Sequence, residues 1–220
     1  MNVLRKFTVA FSLMLMAGIP FWCAGCTGSV GAGTGDVAPS AKNVPNLIRV
    51  PLARQATDHT CGVASLQSIL YYYGLPFRED TLAAMLQTTD DGTPYRNMVS
   101  LAEAQGFKVS VHTKLTLEEL RKFIDLGQPV LLAIQAWMGP PVDWSTYEEG
   151  HYVVAIGYDQ GNFYFMDPST LGQYTFIPNS EFMARWHDKD KDGTHLDQFG
   201  IIITRTSFDK YDPDRILRLD

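Results

Sequence analysis

From Cys61 to Leu126 the apolar residues of this chain recur at helical spacing; from His151 to Arg205 they alternate or run in short blocks broken by turn residues. A chain that is helical first and β second folds into segregated layers rather than alternating βαβ units. Val63, Leu66, Ile69, Leu70 and Tyr73 share one helical face, and Gly74 closes that helix. Further helices are expected over Asp80–Leu86, Arg96–Gln105 and Thr116–Leu126, the last opened by the capping-box pair Thr116 and Glu119. Phe107–His112 alternates like a strand, and Pro129–Trp137 is an apolar block long enough to be central. His151–Tyr158, Asn162–Asp167 and Gln173–Ile177, separated by Asp159-Gln160-Gly161 and residues 168–172, read as an antiparallel meander. A short helix over Asn179–Trp186 and a last strand over Phe199–Arg205 complete the pattern. The expected class is α+β, with an N-terminal helical layer packed on an antiparallel sheet.

The first residues have a different character. Arg5 and Lys6 precede an uncharged apolar stretch, Phe7–Trp22, which ends in Cys23-Ala24-Gly25-Cys26. This is the layout of an export signal. Ala24-Gly25-Cys26 resembles a bacterial lipobox, which makes Cys26 the candidate lipidation site. Residues 27–43 are rich in Gly, Ala and Ser and are expected to be a flexible tether. The division is therefore a signal over 1–26, a linker over 27–43, one domain over 44–207 and a tail over 208–220. The expected location is the periplasmic side of a membrane, held by a lipid anchor if Cys26 is modified, or the secreted fraction. Beyond the signal no apolar run approaches the roughly 20 residues that a membrane span needs. The 220 residues are 45% hydrophobic, enough for one core, and the net charge is −6 with no basic stripe, which argues against a nucleic-acid partner. Nothing in the sequence specifies an oligomeric state.

Of three cysteines, only Cys61 lies in the expected domain. A thiol there is either a small core residue or a nucleophile. It sits where a turn-like segment meets a helix, and a helix N-terminus favours a thiolate and presents unpaired N–H groups. Thiol chemistry also needs a base, a group to orient that base, and donors for an oxyanion. Gln55, six residues before Cys61, offers a side-chain amide. His151 opens a strand, and Asp167 ends the next one, where it can accept a ring N–H. His59, His112, His187 and His195 are worse placed, in loops or at a strand end.

These pieces, namely Gln55, Asp58-His-Thr-Cys61-Gly62, Gly150-His151-Tyr152-Val153-Val154 and Asp167-Pro168, resemble the papain-like cysteine peptidases and more closely the peptidase C39-like family. The segment from Gly92 to Val109 is also similar to that family, and the resemblance covers about residues 47 to 205. It implies a papain-like fold and a peptide or protein substrate. It further implies Cys61 as nucleophile, His151 as general acid/base and Asp167 as orienter, with Gln55 and the Cys61 N–H as oxyanion donors. Well-known members cleave leader peptides after a double glycine as parts of transporters. This chain shows an export signal and no transporter segment, so that substrate is not expected of it. Two other readings stand beside hydrolysis: a non-catalytic peptide- or protein-binding module on the same fold, and a transglutaminase-like acyl transferase, which shares the Cys-His-Asp order.

Gly62, Trp137, Trp144 and Gly150 are the positions expected to line a substrate cleft, with Met138, Gly139, Pro140 and Pro141 between the tryptophans. Asp188-Lys-Asp190-Lys-Asp192-Gly193 spells the first half of a calcium loop, but its twelfth position is Phe199 rather than Glu. Calcium is a weak expectation there, and no other metal or cofactor is expected.

Overall fold

The computed structural model describes residues 39–137, 139, 142–206, 209–216 and 218. The signal, Cys23, Cys26 and most of the linker lie outside the described residues, as do Met138, Pro140 and Pro141.

The elements in chain order are α1 (Cys61–Tyr72), α2 (Glu79–Met85), α3 (Tyr95–Ala104), β1 (Lys108–His112), α4 (Leu117–Asp125), β2 (Val130–Gln135), β3 (Gly150–Tyr158), β4 (Asn162–Met166), β5 (Thr175–Pro178), α5 (Asn179–Arg185) and β6 (Gly200–Thr204). All six strands join one antiparallel sheet in the order β1-β6-β2-β3-β4-β5. The meander β3-β4-β5 is local. The last strand is not: β6 inserts between β1 and β2 and pairs with both. This is the α+β, papain-like arrangement with the Cys61 helix packed on the sheet.

α1 is the central helix. Val63, Ala64, Leu66, Ile69 and Leu70 are all fully buried. Its small polar residues also face inward, and each finds a carbonyl: Ser65 Oγ donates to Tyr152 O at 3.0 Å and Ser68 Oγ to Pro51 O at 2.6 Å. These bonds satisfy buried hydroxyls and hold the helix to β3 and to the segment before Gln55. α3 packs on β1, α4 on β2 and β3, and α5 on β4 and β5. α4 opens with the capping box: Thr116 Oγ1 accepts from Glu119 N, and Glu119 Oε2 accepts from Thr116 N. Under α5, Phe163, Phe165, Phe182 and Trp186 form a buried aromatic group, with Phe182 stacked on Trp186 at 5.0 Å.

Residues 209–216 follow the C-terminal end of α1. Tyr211 N donates to Tyr72 O at 3.1 Å, and the Tyr211 ring meets Tyr71 edge-on. Among the described residues no helix is long and apolar enough to cross a membrane.

Candidate active site

Cys61 is the first residue of α1 and is half-buried. The residue before it, Thr60, occupies the N-cap position but does not cap the helix. Its hydroxyl donates instead to Glu79 Oε1 at 2.9 Å, with Thr57 O an alternative acceptor at 3.2 Å. The first-turn N–H groups at the Cys61 end therefore receive no side-chain acceptor. They remain a cluster of donors at the positive end of the helix dipole.

Gly62 explains how closely the helix approaches β3. It is buried, and a Cβ there would lie 3.0 Å from Thr93 Cβ and 3.1 Å from Tyr152 Cδ2. Its missing side chain serves helix–strand packing. Gly62→Ala is expected to destabilise the fold by about 1–3 kcal/mol through overpacking. A denaturant melt of the purified variant reads this directly, and an unchanged midpoint would show that the helix can retreat without loss.

His151 is the second residue of β3 and is only 1% exposed. Its Nε2 donates to Asp167 Oδ1 at 2.8 Å. Asp167 follows β4 directly, so the β3–β4 pairing sets the two side chains at one end of the sheet. Oδ1 of Asp167 also accepts from Ser169 N at 2.9 Å and Ser169 Oγ at 2.7 Å, an Asx-turn that fixes the carboxylate. The other ring nitrogen, His151 Nδ1, is buried and has no hydrogen-bond partner. Cys61 is near enough to act on the same ring and favours its charged form.

The electrostatics of the ring are one-sided. Burial disfavours its charged form, but the Asp167 hydrogen bond, the Cys61 sulfur and the Asp167 charge outweigh burial and raise the His151 pKa from 6.5 to about 9. Burial likewise pushes the Asp167 carboxyl up; the bond and charge of His151 and the Ser169 donors reverse this and hold it below 3.8. The pair is thus an imidazolium–carboxylate at neutral pH, with the free face of the ring toward sulfur.

Gln55 is tied to the Asp167 side through its backbone. Its backbone N donates to Pro168 O at 3.0 Å, tying the segment before α1 to the Asp167-Pro168 turn. Its side-chain Nε2 donates to Thr57 O at 2.7 Å, and its Oε1 is buried and unpaired. An amide nitrogen carries two hydrogens, so one N–H of Gln55 remains uncommitted.

The structure places Trp137 against His151 and Trp144 against Arg185. The Trp137 ring lies 4.4 Å from the His151 ring, and the residue is 56% exposed with a left-handed φ of 51°. A bulky residue held in that region stores strain, a pattern found at functional positions. Trp144 instead lies under the Arg185 guanidinium, 4.4 Å away. The aspartates of the calcium expectation have other partners in the fold. Arg96 Nη1 pairs with both Asp190 (2.9 Å) and Asp192 (3.1 Å), and Asp188 is turned away toward Gln135 and Gly150. Among the described residues no group of three or more His, Cys, Asp or Glu is arranged to hold a metal ion.

Two contributors were not singled out from sequence. Ser169 was readable as the i+2 partner of an Asx-turn. Gln135 was not. Its Oε1 accepts from Glu149 N at 3.1 Å, and its Nε2 donates to His187 O and Asp188 Oδ1, both at 3.2 Å, so it locks the start of β3 to the 187–188 segment.

Comparison with known proteins identifies the family and the fold. The chain is 29% identical over 136 residues to the transport/processing ATP-binding protein ComA of Streptococcus pneumoniae, which is 60% of this chain and 17% of that protein. It is 28% identical over 162 residues to the pediocin PA-1 transport/processing ATP-binding protein PedD of Pediococcus acidilactici, 72% of this chain and 19% of that protein. It thus spans less than a fifth of these curated relatives. Among solved structures, the peptidase domain of Streptococcus ComA superposes with a TM-score of 0.54 at 20% identity, covering 72% of this chain and 99% of that one. A C39-like peptidase from Bacillus anthracis gives 0.57 at 22% identity, covering 74% and 98%. A double glycine motif protease from an AMS/PCAT transporter, solved with a leader peptide, gives 0.52 at 19% identity, covering 73% and 94%. The profile of the Peptidase_C39 like family matches residues 47–193, which hold Gln55, Cys61, His151 and Asp167. On that match, which spans more than half of the sequence, the chain belongs to the Peptidase_C39 like family of cysteine peptidases.

Proposed function

We propose that this chain hydrolyses a peptide or amide bond through Cys61, His151 and Asp167, with Gln55 and the Cys61 N–H receiving the oxyanion. The observation that carries the reading is the state of the His151 ring. It is buried, bound to Asp167 through one nitrogen, and unpartnered at the other beside Cys61.

The chemistry follows from that arrangement. The imidazolium stabilises the Cys61 thiolate, which attacks the carbonyl carbon. The oxygen's developing charge falls toward the uncapped start of α1 and the spare N–H of Gln55. His151 passes its proton to the leaving amine as the C–N bond breaks, leaving a thioester on Cys61. The now neutral ring takes a proton from water, which attacks the thioester and releases the acid. Asp167 holds the ring in one tautomer and orientation throughout.

A peptide substrate is supported by the family and by the leader-peptide complex of the AMS/PCAT relative. The export signal and the Ala24-Gly25-Cys26 triplet support an exported, lipid-anchored enzyme. The test is covalent labelling with an epoxide-based thiol reagent, followed by mass spectrometry after incubation with an activated peptide ester. Label and thioester are expected at Cys61, with labelling at pH 6 falling about tenfold or more in His151→Ala. Labelling that ignores His151, with no thioester formed, would leave a binding module on a peptidase fold. Adding a primary amine separates transfer from hydrolysis by the ratio of amide to acid product.

A further inference from the structure

We propose that Asp188 sets the specificity of this site by holding a cationic group of the substrate, a primary ammonium or guanidinium, beside the scissile bond. The proposal rests on the peptidase reading above and names what that site prefers.

The first observation is positional. A Cβ on Gly150 would lie 2.5 Å from Asp188 Oδ2 and 2.6 Å from Oδ1. The carboxylate therefore lies against the strand one residue before His151, and only a glycine there admits it. Gly150 and Tyr152 share a face of β3. Gly62, the residue after Cys61, packs on the Tyr152 ring, where a Cβ would lie 3.1 Å from Cδ2, so the strand face that carries Asp188 reaches the start of α1.

The second observation is what Asp188 lacks. Asp167 has His151, and Asp190 and Asp192 share Arg96. Among the described residues no Lys or Arg pairs with Asp188. Its partners are the neutral Gln135 amide at 3.2 Å and the backbone of Lys189, with His187 near enough to be felt. Burial, reinforced by Asp190, raises its pKa from 3.8 to about 6, so it is still charged at neutral pH. A half-buried carboxylate without a cation is an unfavourable element of a fold. Accepting one bond from Gln135 does not require the charge, since an asparagine would accept the same bond. The charge is explained if a cation arrives with the substrate.

The discriminating experiment uses the full chain and an N-acetylated peptide library, with lysine or norleucine at each position near the cut. Asp188 and Asp188→Asn are compared for the same peptides, and thermal melts check that the variant folds. We expect the wild type to cleave lysine peptides at least about tenfold faster than their norleucine counterparts, and that ratio to collapse toward one in Asp188→Asn. A parallel set with free rather than acetylated N-termini distinguishes a side-chain cation from the terminal ammonium. Calorimetric binding of the same peptides to a Cys61→Ala chain reads the preference without turnover, so the proposal is judged even if hydrolysis is absent. Equal handling of charged and neutral peptides by the wild type, or a preference that survives in Asp188→Asn, overturns it.

Discussion

A Cys61→Ala variant is expected to lose about 10⁴-fold or more of its kcat/KM on a cleavable peptide, while its thermal melt stays close to that of the wild type. The two halves of this result have separate causes. The sulfur is the atom that bonds to the carbonyl carbon, so no neighbouring group replaces it. The core contacts of α1 come instead from Val63, Leu66, Ile69 and Leu70, all fully buried, while Cys61 is only half-buried at the helix start. His151→Ala should lose a similar amount of activity but also stability. Removing a ring that is 1% exposed leaves Asp167 inside without its cation. Because nucleophile and base act as a unit, the double variant should be scarcely slower than either single one. Hydrolysis by Cys61→Ala within tenfold of the wild type would place the nucleophile elsewhere in the chain.

Most of this machinery can be seen in the residue pattern, and the reason is local geometry. The α1 face, the Thr116–Glu119 cap and the β3–β4 hairpin are short-range features whose periodicity survives into the fold. The hairpin alone brings His151 and Asp167 within hydrogen-bond distance. What is not legible depends on long-range pairing. Nothing near Gly200 announces that β6 will insert between β1 and β2, because an apolar run reads the same in any sheet position. For the same reason the 188–193 loop looked like half a calcium site. Nothing in its sequence announces that Arg96, far away in the chain, pairs with two of its aspartates. Trp137 and Trp144 were indistinguishable as loop aromatics, yet one meets His151 and the other Arg185.

Replacing Asp167 is expected to move the pH dependence of the enzyme and not only its rate. With Asp167 present, His151 keeps its proton until about pH 9. The ring should therefore stay protonated across neutral pH, with an alkaline limb in kcat/KM near that value. Asp167→Ala removes the hydrogen bond and the charge that oppose burial. Burial, the largest influence on the ring, then favours the neutral form, and the alkaline limb moves to lower pH. Asp167→Asn, which keeps an acceptor but not the charge, should fall between them. Stability carries the same signature. The raised His151 value contributes about 3 kcal/mol that is fully present below pH 6.5 and is lost as the pH rises through about 9. The depressed Asp167 value contributes above 3.8 and is lost as the pH falls through its lower folded value. The pair should thus stabilise most between about pH 4 and 6.5, and Asp167→Ala should flatten the melting profile across that window. Melting temperatures measured from pH 4 to 10, beside an NMR titration of His151, test both parts. An alkaline limb that stays in place in Asp167→Ala would mean that Asp167 orients the ring without setting its charge.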